Sequence, residues 1–256
     1  YDASGAVKGK WSASGHSDGL RMDPVNHVLW AMSNEDGNPV LTVIDPASGK
    51  SKVYKFASTS HGGGYDDIAF MNGAVYLSAS NPKAPNGTNT KPAVVSVTLD
   101  DAAGTANVKP ILAGDAKAGD GNGGTTTLNM IDPDSMFVSA AGDLVVDNQA
   151  GTALVTIHNP GPNQVVTQQV VGTQVDDTVI TPKSSGRLLV SDTTGNTVYA
   201  VRDTNNQGNT YVATPNDSGV AAFVGTLTIT AGNPATIRPI VIGFASPHGM
   251  GFLAGN

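Results

Sequence analysis

The sequence predicts an all-β protein, a β-propeller of four-stranded antiparallel blades, and three observations carry that prediction. Charged residues make up only 14% and aromatics 5% of the chain, while glycines (31) and prolines (15) are plentiful. That is the profile of short strands joined by tight turns, not of helices. A second observation is a recurring segment: a loop ending in Asp or Gly, a short apolar strand, a turn, and a second apolar strand. The third is that a further hairpin follows most copies, giving four strands per unit at a period of roughly 43 to 50 residues, the spacing of propeller blades.

The recurring segment reads HSDGLRMDPVNHVLWAM at His16–Met32 and GYDDIAFMNGAVYLSAS at Gly64–Ser80. It returns as DPDSMFVSAAGDLVVDN at Asp132–Asn148, as VDDTVITPKSSGRLLVSDT at Val175–Thr193, and partially as SPHGMGFLAG at Ser246–Gly255. The second strands (VLWAM, AVYLS, DLVVD, RLLVS) are dense in apolar and β-branched residues, as strands buried on both faces should be. The following hairpins are Leu41–Asp45 with Lys52–Phe56, Val94–Leu99 with Val108–Leu112, Ala153–His158 with Gln164–Val171, and Phe223–Thr230 with Ala235–Ile242. Trp11 and Trp30 are expected to pack between blades, and Gly114–Thr127 and Asn81–Lys91 to form long exposed loops.

Innermost strands open at Leu20, Ile68, Ser135, Thr178 and Met250. The interval from Thr178 to Met250 is too long for one blade, and Asn196–Val201 could supply an irregular innermost strand within it. Six blades are therefore expected, with five as the alternative. Tyr1–Trp11 matches the turn and outer strand of Ile44–Phe56, so the chain is expected to begin in mid-blade as one domain, residues 1–256, with both ends sharing the closing blade and the remaining strands lying upstream.

A net charge of −7 with scattered Lys and Arg argues against nucleic acid, and no apolar stretch reaches the roughly 20 residues that span a bilayer. The chain has no Cys, which excludes disulfides and thiolate chemistry. Low charge with abundant Gly, Thr, Ser and Asn leans toward a secreted or periplasmic, extracytoplasmic setting of bacterial type. Asn86-Gly87-Thr88 and Asn216-Asp217-Ser218 fit the N-glycosylation triplet, which matters only in a eukaryotic secretory host.

The loops entering innermost strands converge at one mouth of a propeller channel, and this chain concentrates His16, Asp18, His61, Asp66, Asp67, Asp132, Asp134, Asp176, Asp177 and His248 there. Carboxylates in a ring suit a hard cation such as Ca2+, and imidazole beside carboxylates suits Zn2+ or a base acting on a lactone or ester. An Asp before a strand also caps turns by accepting backbone N–H groups. In the pairs Asp66–Asp67 and Asp176–Asp177, alternation sends one side chain toward the channel and its neighbour away. Glu35 and Asp36 read as a solvated turn.

HSDGLRMDPVNHVLWAM and SPHGMGFLAG resemble the strand openings of the NHL and gluconolactonase/regucalcin-like six-bladed propellers. The resemblance implies a propeller that can hold a divalent cation through Glu, Asn and Asp ligands on innermost loops. Asp18 stands near the place of the opening acid, and Asn148 closes a second strand. The enzymes' acid-plus-two-Asn set is not found in order, so the first functional expectation is an exported, non-catalytic propeller. It would bind a small molecule, a glycan or a protein, or assemble with its own copies. The alternative is a metal-dependent lactonase or esterase. Its metal would be held by some of Asp18, Asp66, Asp67, Asn148, Asp176 and Asp177, with His16, His61 or His248 as base.

Overall fold

The computed structural model describes residues 6–181, 186–203, 208–217, 219–230 and 234–254. The described residues form strands and no helix, and the antiparallel meanders expected of propeller blades are present. The chain divides into two compact units, one comprising Tyr1–Ala116 with Asn129–Val138, the other Lys117–Leu128 with Ser139–Asn256.

The first unit begins with β1 (Ser17–Met22), β2 (Leu29–Ser33), β3 (Val40–Asp45) and β4 (Lys50–Phe56), a four-stranded meander. A second meander follows in β5 (Ile68–Met71), β6 (Ala74–Ser78), β7 (Pro92–Asp100) and β8 (Thr105–Ala113). The β5–β6 turn is Asn72-Gly73 with positive φ at both residues (52° and 77°), the dipeptide that two-residue hairpins favour. The two meanders join edge to edge, because β4 pairs in parallel with β8 through Lys55↔Thr105 and Phe56↔Ala106. Trp30, Met32, Leu41, Tyr65, Ile68, Leu77 and Val95 form the core between them, with Trp30 edge-on to Phe70 at 5.3 Å. Trp11, by contrast, is 37% exposed.

In the second unit β9 (Lys117–Gly119) and β10 (Thr125–Thr127) form a hairpin where the sequence predicts an exposed loop. The first unit's last strand is β11 (Pro133–Val138). The chain then runs through β12 (Leu144–Asn148), β13 (Ala153–His158) and β14 (Val165–Val170), and β9 pairs in parallel with β14 at Thr167↔Gly119. The threonine-rich β10 lacks the apolar alternation of a strand, so its pairing could not be read from pattern.

The remaining strands are β15 (Thr178–Ile180), β16 (Gly186–Asp192), β17 (Thr197–Asp203), β18 (Thr210–Thr214), β19 (Phe223–Thr228), β20 (Thr236–Ile242) and β21 (Pro247–Ala254). Here the structure departs from the expected repeat. β15 pairs with β18 (Thr178↔Val212), not with RLLVS, and the sheet continues through β19 and β20. β16, which contains RLLVS, pairs with β21 (Leu188↔Phe252) on one side and β17 on the other. Asn196–Val201 is thus mostly the edge partner of β16 and not an innermost strand. Both β16 and TYVAT of β18 carry the buried apolar pattern of a second strand, so local sequence could not assign their partners. Leu188, Val190, Tyr211 and Val224 are fully buried together, packed by Met250 and Phe252.

At the N-terminus, Ala6–Trp11 forms no strand, and Tyr1–Gly5 lies outside the described residues, as does Ser218 of the second glycosylation triplet.

Candidate functional site

Innermost strands share a three-residue opening step. In the first unit these are Asp18-Gly19-Leu20, Asp66-Asp67-Ile68 and Asp134-Ser135-Met136; in the second, Asp176-Asp177-Thr178 and His248-Gly249-Met250. The middle acid of each Asp pair is structural. Asp67 Oδ1 accepts the Ile68 N–H (2.7 Å), while its Oδ2 accepts the Met136 N–H (2.8 Å) and the Arg21 guanidinium (2.6 Å). Asp177 repeats the arrangement, with Oδ1 accepting the Thr178 N–H (2.7 Å) and Oδ2 the Met250 N–H (2.6 Å). Each ties its own innermost strand to the next one, and alternation leaves the first residue of each step facing the other way.

In the first unit those first residues gather. Carboxylate oxygens of Asp18, Glu35 and Asp66 lie within 4.8 Å of one another. Glycines permit the approach: a β-carbon at Gly19 would collide with Asp66 O and Asp67 Cα, and one at Gly64 with the carbonyls of Asn34 and Glu35. The loop after β2 is thereby pressed against the strand entrance that carries Asp66. Burial is the main cause that raises Glu35 to a pKa of about 8, and Asp18, to which it is hydrogen-bonded, adds to the rise. Burial likewise pushes Asp66 well above the carboxylate range, opposed by a hydrogen bond with Asp134 and reinforced by the charges of Asp18, Glu35 and Asp67. Acids this close cannot all ionise, so the cluster holds protons at neutral pH. Glu35 and His16 line one surface depression.

In the second unit the neighbour at the equivalent place is an imidazole. Asp176 Oδ2 lies 2.5 Å from His248 Nδ1 and accepts the Gln149 amide at 3.0 Å. His248 Nε2 lies 3.1 Å from Ser246 Oγ and 4.0 Å from Asp217 Oδ1. Ligand atoms of Asp176, Asp217 and His248 also fall within 4.8 Å of one another.

The sequence candidates therefore separate into several roles. Asp18 and Asp66 belong to the acid cluster, and Asp176 with His248 to the imidazole cluster. Asp67 and Asp177 are strand tethers. Asn148 is buried and packs under the turn at Gly151, where a β-carbon would strike its amide. His61 is buried, with Nε2 donating to Gly64 O (2.6 Å) and its ring 5.2 Å from that of Tyr65; burial lowers its pKa. His16 is exposed beside Glu35. Sequence reasoning passed over Glu35, Asp217 and Ser246. Glu35 did carry a signal, being the sole Glu among 21 acidic residues.

No family model matches the chain, and no curated protein matches it. Among solved structures it is similar to a protein named for the gluconolactonase family, at 13% identity and a TM-score of 0.44, covering 90% of this chain and 64% of that one. It is similar to virginiamycin B lyase from Staphylococcus aureus at 14% identity and TM-score 0.38, covering 94% and 92%. It is also similar to the calcium-binding protein regucalcin from Agrobacterium tumefaciens at 12% identity and TM-score 0.35, covering 86% and 74%.

Proposed function

We propose that the chain is a divalent-cation-dependent hydrolase of lactone or ester type, with Asp18, Glu35 and Asp66 holding the cation. The observation that carries this reading is the convergence of three carboxylates, from three separate chain segments, at a place where burial and mutual repulsion raise the proton affinity of two of them. The donor set fits a hard cation, since it is all oxygen and its repulsion is relieved when positive charge replaces shared protons. Bound there, a Ca2+-class ion would supply Lewis-acid polarisation of a carbonyl and a more acidic water. Asp18 and Glu35 present the outer oxygens, and buried Asp66 anchors the site from below. Exposed His16, lining the same depression as Glu35, is the residue to which we assign the base. An extracytoplasmic setting suits such a site, because affinities on the order of 10⁻⁴–10⁻³ M suffice for Ca2+ outside the cytosol.

The non-catalytic binding reading expects acids satisfied by backbone. Asp67 and Asp177 fit that description, but the Asp18–Glu35–Asp66 group, whose acids share hydrogen bonds with one another or with Asp134, supports the cation reading instead. The test is calorimetric titration with Ca2+, Mg2+ and Zn2+ beside a lactone and ester screen with and without EDTA. One equivalent of cation bound with proton release, lost in Asp66→Asn, and EDTA-sensitive hydrolysis are expected. A folded chain that binds no divalent cation overturns the proposal.

A further inference from the structure

We propose that Ser246, His248 and Asp176 form a nucleophilic relay that cleaves small carboxylic esters without a metal, using none of the residues of the acid cluster in the first unit. The geometry is that of an activated hydroxyl. Asp176 Oδ2 at 2.5 Å takes the hydrogen on His248 Nδ1, which leaves the Nε2 lone pair facing Ser246 Oγ at 3.1 Å. The Gln149 amide, bonded to the same carboxylate oxygen at 3.0 Å, fixes Asp176 in turn.

Ser246 is itself held rigidly, as a nucleophile must be. Its N–H donates to Asp192 Oδ1 (3.0 Å), and its carbonyl accepts the Thr193 N–H (3.0 Å). The preceding Ala245 N–H donates to Asp192 Oδ2 (2.7 Å). Burial works to raise Asp192, but backbone donors from Ala245, Gly195 and Ser246 outweigh it and hold the carboxyl below its usual range. Asp192 therefore stays ionised and keeps this corner in place. The hydroxyl has a second acceptor, Asp217 Oδ1, at a longer 3.4 Å. Once the imidazole is protonated, that carboxylate lies 4.0 Å from Nε2 and stabilises the charge.

The His248 side chain is 29% and the Asp217 side chain 43% exposed, so the cluster opens to solvent on the Asp217 side. Ser246 is only 5% exposed, which restricts the acyl group to a short one such as acetyl. In the reaction Ser246 Oγ bonds to the ester carbonyl carbon as its proton passes to Nε2. The carbon–alkoxide bond then breaks, and the alcohol leaves with that proton. Water attacks the acyl-serine, gives a proton to Nε2, and releases the acid as the proton returns to Oγ. Asp176 keeps its hydrogen bond to Nδ1 throughout and so holds the imidazole in place.

The test uses the full chain in EDTA with a fluorophosphonate probe, which forms a covalent adduct with activated serines. The expected result is one adduct per chain, mapped by peptide mass to Ser246, with a p-nitrophenyl acetate burst of matching stoichiometry. His248→Gln and Asp176→Asn should slow labelling by about 10²–10⁴-fold while circular dichroism shows the fold retained. Wild-type protein that is folded yet unlabelled at Ser246 overturns the proposal, and so does undiminished labelling in folded His248→Gln. Because EDTA is present throughout, failure of the cation site leaves this result intact, and the reverse holds for calorimetry.

Discussion

The acid cluster and the imidazole cluster are built on the same repeat step, and the residue that opens the next innermost strand differs between them. In both, the second Asp of a pair (Asp67 or Asp177) accepts its neighbour's N–H and the N–H of the next innermost strand, over distances of 2.6–2.8 Å. In both, the first Asp faces the opposite way toward the opening residue of that next strand. For Asp66 that residue is Asp134, and for Asp176 it is His248. Acid beside acid yields a shared proton and a raised affinity for cations; acid beside imidazole fixes a tautomer whose other nitrogen faces a hydroxyl. The repeat supplies the position, and the residue placed there selects the chemistry.

The comparison breaks most sharply at the tethers. Asp67→Ala removes a carboxylate from the Arg21 guanidinium as well as the acceptor of two backbone donors, and it should lower the unfolding free energy by about 3–4 kcal/mol. Asp177→Ala strands its two backbone donors and should cost less, about 2 kcal/mol. Urea denaturation measures both, and equal losses would show that Arg21 adds nothing.

Next in size are the glycines that follow the opening residues. Gly19→Ala drives a methyl into the Asp66–Asp67 backbone, costing about 1–3 kcal/mol and pushing Asp18 away from Asp66, so cation binding should be lost. At Gly249 the nearest obstacle is Ser191 Oγ at 3.0 Å, a side chain that can rotate, and Gly249→Ala should cost under about 1 kcal/mol.

A pH scan sharpens the electrostatic contrast. Glu35 is raised to about 8, so the folded chain keeps a proton that the unfolded chain has already released. Its contribution is complete below the unfolded carboxylate value and is lost as pH rises toward the folded one. In EDTA the melting temperature should therefore fall between about pH 5 and about pH 8, and Glu35→Gln should flatten that fall. Saturating Ca2+ should oppose it. A melt that rises over this range would refute the shared-proton picture.

The smallest effect is expected at a surface copy of the His–Asp contact. His158 Nδ1 lies 2.6 Å from Asp143 Oδ1, but the imidazole is 57% exposed. His158→Ala should change stability by no more than about 0.5 kcal/mol, since solvent screens the pair. It marks the baseline against which the part-buried His248–Asp176 contact is judged.

Much of this was legible in the sequence. The repeated strand openings announced the innermost strands, and the Asp pairs announced that neighbours would face opposite ways, because strand alternation has a period of two. Glu35 was not recognised, since a Glu-Asp-Gly stretch after a strand reads as a wet turn until Gly64 is seen pressed against its backbone. Ser246 and Asp217 meet His248 through chain geometry alone, across intervals that no local pattern spans. The same holds for β16, whose apolar pattern told that it is an inner strand and not which one it joins. The β9–β10 hairpin escaped notice because Lys-Ala-Gly and Thr-Thr-Thr offer one small apolar side chain, Ala118, between them and no alternating apolar face.

The interlacing of the last strands bears on how the protein is made. β16 and β17 form a hairpin from adjacent residues, yet Leu188 and Val190 reach their buried places only when Phe252 and Met250 arrive from β21. A lone two-stranded hairpin is marginal in water. Between this hairpin and β21 in the chain lie β18, β19 and β20, which belong to a different sheet with β15. Closing contacts of such long sequence separation are slow. The burial of Leu188 and Val190 therefore depends on β21 being laid against β16, and the same strand brings His248 to Asp176.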